Sequence, residues 1–352
     1  MMKILLLGNR HFLFELLYNL RSLDFLDENI IDICVSNPPK FSLSQKIKNI
    51  KALPIKKIIP KIAEKIFLKI VKKQYGNSQN LILKQLFPTK NLTFLNLLPN
   101  VRFIKYQGLN KLNDISDYDL LVVASFSEKI PEYIYNQPLK GTVNIHSSLL
   151  PSFRGGNPCY IQAYRGNSQI ATTIHLMADG WDNGDIISQK KAETNRELTS
   201  WDIFTGSAKM AAEMLDELHL NEFKFFPIKQ DEAFASYCHY YPEPKFNIKN
   251  MEASDDIEGY VRANYLNYLF PFTYCFYGLS LLIIFKVIKL SEHNEYFQTN
   301  ENIALLKKNK VFYLKFYNNF YIISHYCFRG KICELVKDKD FDNTMWASSV
   351  IA

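Results

Sequence analysis

Three side chains between Asn144 and Asp185 are of the types that acid–base work on a carbonyl centre requires. The text reads NIHSSLLPSFRGGNP and then TTIHLMADGWDNGD. Asn144 offers an amide donor, His146 an imidazole that is neutral near pH 7, and Asp182 a carboxylate. Asn144 and His146 are two apart, so on a strand they share one face. Asp182 is followed by Asn183-Gly184, a pair that favours a tight turn. Singly, each has a plainer explanation: a turn asparagine, a core histidine, a turn acid. D-N-G-D also lacks the spacing of a calcium loop. Together the three can hold a developing oxyanion and move a proton.

Such residues need elements to carry them. Lys3-Ile4-Leu5-Leu6-Leu7 is an apolar run ended by Gly8-Asn9 and reads as a buried strand. Leu13, Leu16, Leu17 and Leu20 follow at helical spacing. Ile30 to Val35, Leu120 to Ala124 and Thr142 to Ile145 read as further strands. Continuous apolar strands alternating with helices predict an α/β fold with a mostly parallel sheet. Ligands of such sheets sit at the carboxyl ends of the strands, where Asn144, His146 and the segment after Ala124 would lie. No G-x-G-x-x-G follows the first strand, which disfavours a dinucleotide despite the Rossmann-like layout. Thr199 to Leu220 reads as a capped amphipathic helix. From about Ile257 the pattern turns to short strands, with Val311–Tyr317 and Phe320–Ser324 as a hairpin around Asn318-Asn319.

The motifs resemble the formyltransferase family that uses 10-formyltetrahydrofolate. The resemblance rests on Asn144-Ile145-His146-Ser147-Ser148-Leu149-Leu150-Pro151, on Arg154-Gly155-Gly156, and on Asp182-Asn183-Gly184-Asp185 in that order. Many relatives have Pro where this chain has Ser147. The resemblance is strong over about 117–217 and absent over about 40–100. It implies a Rossmann-like formyltransferase domain over 1–222 with a lysine-rich insertion at about 40–100. A connector over 223–256 and a smaller C-terminal β-rich domain over 257–352, OB-like in form, complete the expected organisation. The resemblance assigns Asn144, His146 and Asp182 as catalytic. Asn144 would donate to the oxyanion, His146 would take the amine proton, and Asp182 would orient His146 and relay a proton to the leaving folate nitrogen. It places the folate co-substrate along Ser125–Pro131, with Phe126, Ile130 and Asp182 as contacts, and needs no metal. His175 is expected beside the site. Arg154, before a helix starting near Asn157-Pro158, is a candidate for a substrate phosphate, with a solvated loop arginine as the even alternative.

Within that family the acceptor amine varies. R-G-x-x-P followed by an aromatic, here Asn157-Pro158-Cys159-Tyr160, favours a nucleotide-linked amino deoxysugar used in surface glycan synthesis. Initiator tRNA of a methionyl-tRNA formyltransferase is the alternative, and a non-catalytic relative binding through its basic segment is a second. A homodimer through the C-terminal β region is expected.

Composition sets outer bounds. At 352 residues the chain can bury a large core in two domains. Cys34, Cys159, Cys238, Cys275, Cys327 and Cys333 form no C-x-x-C pair, which fits reduced thiols in the cytoplasm. The apolar run of MMKILLLGNR is about five residues, short of the ~7–15 of a signal peptide. Tyr268 to Phe285 carries no charge, but Pro271, Gly278 and dense aromatics suit strands and a turn better than a transmembrane span. The net charge is +7, yet residues 41–90 hold twelve lysines against Glu64 alone, so the remainder is net acidic. Ile55, Ile58, Ile59, Ile62, Ile66 and Ile70 alternate there with lysines as in a basic amphipathic helix interrupted at Pro60. Packing on the catalytic domain or a partner subunit, a tRNA surface and a membrane surface are its three readings.

Overall fold

The computed structural model describes residues 1–36, 98–112, 114–195, 197–240, 245, 247–265, 273–277, 280–290, 301–308, 311–328 and 331–334. The lysine-rich segment and Tyr268–Pro271 lie outside them.

The first sheet contains β1 (Lys3–Asn9), β2 (Ile30–Ser36), β3 (Val101–Lys105), β4 (Leu120–Ala124), β5 (Thr142–His146), β6 (Gln169–Leu176) and β7 (Ile186–Glu193). Its order is β3-β2-β1-β4-β5-β6-β7. The first five strands pair in parallel and the last two pairings, β5 with β6 and β6 with β7, are antiparallel. The expected α/β class with a mostly parallel sheet is therefore observed. Both sheet faces are apolar because alternate residues feed separate cores. Ile4, Leu6, Leu120 and Val122 join α1 (Arg10–Leu20) and a long helix, Ser200–Leu220, on one face. Leu5, Leu7, Leu121 and Val123 join Ile115, Ile130 and Ile134 on the other. Continuous hydrophobic runs are what burial on two faces demands. Gly8 closes the β1–β4 contact: a Cβ there would lie 2.0 Å from the Ala124 carbonyl oxygen.

The helix Ser200–Leu220 begins with a capping box. The Thr199 hydroxyl accepts from the Asp202 N–H at 3.2 Å, and the Thr199 N–H donates to the Asp202 carboxylate at 2.8 Å. Ala208, Ala211, Ala212, Met214 and Leu215 form its buried face. This helix holds α1 and the antiparallel edge of the sheet in place.

The segment at Ile257 corrects the sequence expectation: Ile257–Asn264 is a helix, not a strand. Asp256 caps it by accepting from the Gly259 N–H at 3.0 Å. After it, β8 (Thr273–Tyr277), β9 (Ser280–Lys289), β10 (Ile303–Lys308), β11 (Val311–Phe316), β12 (Asn319–Phe328) and β13 (Lys331–Glu334) form an antiparallel sheet. The uncharged run Tyr268–Phe285 is thus, over its described part, the β8–β9 hairpin. No helix among the described residues is long and apolar enough to cross a membrane. The β11–β12 hairpin falls where the sequence predicts it. No pairing among the described strands closes this sheet into a barrel. A shared core joins the two regions: Tyr160, Ile161, Leu198 and Ile203 cluster with Tyr260, Val261, Leu282, Phe312 and Phe316.

Thr199→Ala removes one arm of the capping box. We expect it to lower unfolding free energy by about 1 kcal/mol in a denaturant titration, with the m-value unchanged.

Candidate active site

The site forms where β5 ends. Val143 and Ile145 point into the core shared with Ser200–Leu220, so Asn144 and His146 occupy the opposite face of the strand. Asp182 arrives from the β6–β7 connection. Its backbone sits in the left-handed region, φ 51°. Gly184 lets that turn lie flat on β6, for a Cβ there would be 1.8 Å from the Leu176 carbonyl oxygen. The Leu150–Pro151 peptide is cis.

The three catalytic candidates meet. His146 Nδ1 is 3.5 Å from Asp182 Oδ2, and Asn144 Nδ2 donates to Asp182 Oδ1 at 3.1 Å. The Gly155 backbone N–H donates to Asp182 Oδ2 at 2.7 Å. His146 Nε2 lies 2.9 Å from the Phe153 carbonyl oxygen. A carbonyl only accepts, so Nε2 carries a proton and the neutral ring leaves Nδ1 bare. That bare nitrogen faces the carboxylate. A proton arriving at Nδ1 would convert this contact into an ion pair, an arrangement that suits a general base backed by a carboxylate.

His175 stands behind Asn144. Its Nδ1 donates to the Leu176 carbonyl at 2.8 Å, leaving Nε2 as an acceptor 3.1 Å from Asn144 Nδ2. Both hydrogens of the Asn144 amide therefore have partners, Asp182 and His175. An oxyanion would have to displace one of them to receive the donation that the family resemblance implies for Asn144.

Burial shapes the charges. His146 is 5% exposed. That burial, and the neighbouring His175, push its pKa below the ordinary imidazole value, although Asp182 and the Phe153 carbonyl pull upward. Burial of Asp182 favours its neutral acid, but the imidazoles of His146 and His175 and the Gly155 N–H outweigh it. The carboxyl is held well below the usual carboxylate range. At rest the pair is a neutral imidazole beside a carboxylate.

Two of the sequence-derived contacts sit elsewhere. Arg154 is 1% exposed and its guanidinium is spent within the protein. It donates to Gln230 Oε1 at 2.7 and 3.1 Å, to Glu232 at 2.8 and 2.9 Å, and to the Tyr237 hydroxyl at 3.1 Å. It therefore braces the loop rather than presenting a cation to a substrate phosphate. Ile130 is 2% exposed and packs in the core beneath the loop that it was expected to line. Phe126 remains half-buried on that loop, edge-on to Tyr106 at 5.8 Å. The loop faces the Asp182 turn: Lys129 Nζ reaches Asp179 Oδ1 at 2.7 Å between them. Ser147, the departure from the family pattern, is buried and accepts from the Ser207 hydroxyl at 2.8 Å. The helix expected near Asn157-Pro158 is Pro158–Tyr164. Among the described residues no group of His, Cys, Asp or Glu could hold a metal ion. The Phe153 carbonyl, the Gly155 N–H and Gln230 were not legible, because backbone groups and a glutamine in a Tyr- and Pro-containing connector carry no signature.

Known proteins resemble the chain in sequence and in fold. Residues 73–217 match the family described as formyl transferase. The matched stretch contains Asn144, His146 and Asp182. Over 147 residues the chain is 30% identical to the methionyl-tRNA formyltransferase of Bacillus cytotoxicus, covering 41% of this chain and 47% of that one. Over 193 residues it is 28% identical to that of Ehrlichia ruminantium, covering 55% and 59%. The chain thus spans about half the length of the curated relatives it matches. Among solved structures, the sugar 3N-formyl transferase WlaRD aligns over 94% of this chain and 99% of its own, with TM-score 0.54 and 17% identity. The N-formyltransferase of Helicobacter canadensis aligns over 92% and 98%, with TM-score 0.52 and 15% identity. These two likenesses extend the shared fold through the C-terminal sheet.

We expect the His146 ring, titrated by NMR, to change charge below pH about 6.5, the ordinary imidazole value. A midpoint above it would mean that attraction to Asp182 outweighs burial and that the base is already protonated near neutrality.

Proposed function

We propose that the chain is an N-formyltransferase that moves the formyl group of 10-formyltetrahydrofolate to the amine of a nucleotide-linked amino deoxysugar. The single observation that carries formyl transfer is the meeting of Asn144, His146 and Asp182 at the end of β5, inside the segment matched to the family. The amine attacks the formyl carbon. His146 Nδ1 takes the amine proton, and Asp182 stabilises the imidazolium so formed. Asn144 turns one amide hydrogen from His175 to the oxyanion, a donor of the kind worth roughly 2.7–4 kcal/mol. The proton then passes to the departing folate nitrogen. Folate lies between the Phe126 loop and the Asp182 turn in this reading, with Phe126 and the turn backbone against the pterin.

Two observations favour the sugar. The solved structures that align along nearly the whole chain are of a sugar 3N-formyl transferase with dTDP and 5-N-formyl-THF, and of an N-formyltransferase with folinic acid and dTDP-3-aminofucose. The R-G-x-x-P-x-aromatic pattern at Arg154–Tyr160 points the same way. On this reading the reaction is cytoplasmic and feeds surface glycan synthesis. The second reading, initiator tRNA, is favoured by the curated relatives, which are methionyl-tRNA formyltransferases. The lysine-rich segment would then supply phosphate contacts.

The test supplies 10-formyltetrahydrofolate with a dTDP-amino sugar and, separately, with methionyl initiator tRNA. The expected result is turnover on the sugar. His146→Ala and Asp182→Asn should each lower it by about 10³-fold or more with melting temperature near wild type. Turnover on tRNA alone, falling steeply with added salt, would transfer the assignment to the second reading.

A further inference from the structure

Gln230 lies in the segment after the long helix, outside the three catalytic motifs, and is buried. Its side-chain amide uses everything it has. Nε2 donates to the Asp182 carbonyl at 2.8 Å and to the Gly184 carbonyl at 2.7 Å. Oε1 accepts from Arg154 Nε at 3.1 Å and from Arg154 Nη2 at 2.7 Å. Reversing the amide would set oxygen against two carbonyls and N–H against a guanidinium, so its neighbours fix its orientation.

The turn that Gln230 grips is one that needs gripping. Asp182 is a non-glycine residue in the left-handed region, a conformation that persists only where the surroundings hold it. The grip is itself anchored. Ile186 and Ile228 exchange backbone hydrogen bonds at 2.8 Å each, which sets Gln230 opposite the turn. Glu232 and Tyr237 pin the Arg154 guanidinium. The same segment also holds the other half of the site. The Arg154 N–H donates to the Ser236 carbonyl at 2.8 Å, and the Cys238 N–H donates to the Arg154 carbonyl at 2.9 Å. The Phe153 N–H donates to the Ser236 hydroxyl at 2.9 Å. Phe153 in turn supplies the carbonyl that fixes the His146 ring.

We propose that Gln230 is a positioning residue: through Arg154 and the segment 228–238 it ties the Asp182 turn to the loop that orients His146, and so sets the distance between the base and its carboxylate. The proposal rests on the reading of Asn144, His146 and Asp182 as a formyl-transfer centre. Gln230 touches no reacting atom. Its effect passes through the Asp182 backbone, and losing it should impair turnover rather than acceptor binding.

The experiment uses the full chain carrying Gln230→Met, which keeps side-chain length and removes all four hydrogen bonds. A second variant, Glu232→Gln, loosens Arg154 at one remove from an exposed position. Turnover on the dTDP-amino sugar is measured below both melting temperatures, beside NMR of the His146 ring nitrogens. Gln230→Met should lower kcat about 100-fold with acceptor KM within about threefold of wild type, since a displacement near 1 Å costs about that much. The His146 ring signals should move as the carboxylate recedes. Glu232→Gln should show the same signature at about 5-fold to 10-fold. A folded Gln230→Met with kcat within about threefold, or with unmoved ring signals, overturns the proposal. Should that variant not fold, unmoved signals and unchanged kcat in Glu232→Gln overturn it instead. Should the wild type formylate neither sugar nor tRNA, the functional reading fails separately. The ring signals then decide the positioning claim alone: movement upholds it, and none overturns it.

Discussion

The hydrogen bond from His146 Nε2 to the Phe153 carbonyl decides which nitrogen can act. It consumes the ring's one proton on the side facing the loop and leaves Nδ1 bare toward Asp182. A neutral imidazole beside a carboxylate is a poor contact until a proton lies between them, and in the proposed reaction the attacking amine supplies that proton. Burial keeps the ring uncharged at rest, and the Gly155 and Asn144 N–H groups both donate to the carboxylate beside it.

That arrangement needs three independent segments at fixed separations. The parallel sheet supplies the first, because β5 is buried on both faces and cannot slide without moving Asn144 and His146 off their side. The turn after β6 supplies Asp182, pressed onto the strand at Gly184. The loop before Pro158–Tyr164 supplies the Phe153 carbonyl and the Gly155 N–H. An arginine that could serve a ligand is instead buried to hold this loop. Its bonds to Gln230, Glu232 and Tyr237 occupy all five guanidinium N–H groups.

Much of this was legible in the sequence, for physical reasons. Apolar runs at Lys3–Leu7 and Leu120–Ala124 announce two-sided burial, and Thr199 with Asp202 announces a helix start. The side chains of Asn144, His146 and Asp182 carry their chemistry in their types. Ile257–Asn264 was misread because its apolar residues are few and Gly259 interrupts them, while Asp256, the cap, was not weighed. Arg154 was misread because a charge in an R-G turn looks solvated until Glu232, distant in sequence, is known to meet it. Ile130 was misread because a loop's chain path does not tell which of its side chains turns inward. Hydrogen bonds made by backbone groups leave no trace in residue types at all.

The account stands or falls on whether a formyl group crosses this site. The most direct measurement follows an isotope-labelled formyl group from 10-formyltetrahydrofolate to the amino sugar by mass spectrometry, for the wild type and for Asn144→Ala. The account predicts label on the sugar nitrogen with the wild type and its loss by about 10²-fold or more with the variant. Label that stays on the folate, or reaches the amine equally fast without the Asn144 amide, would contradict it.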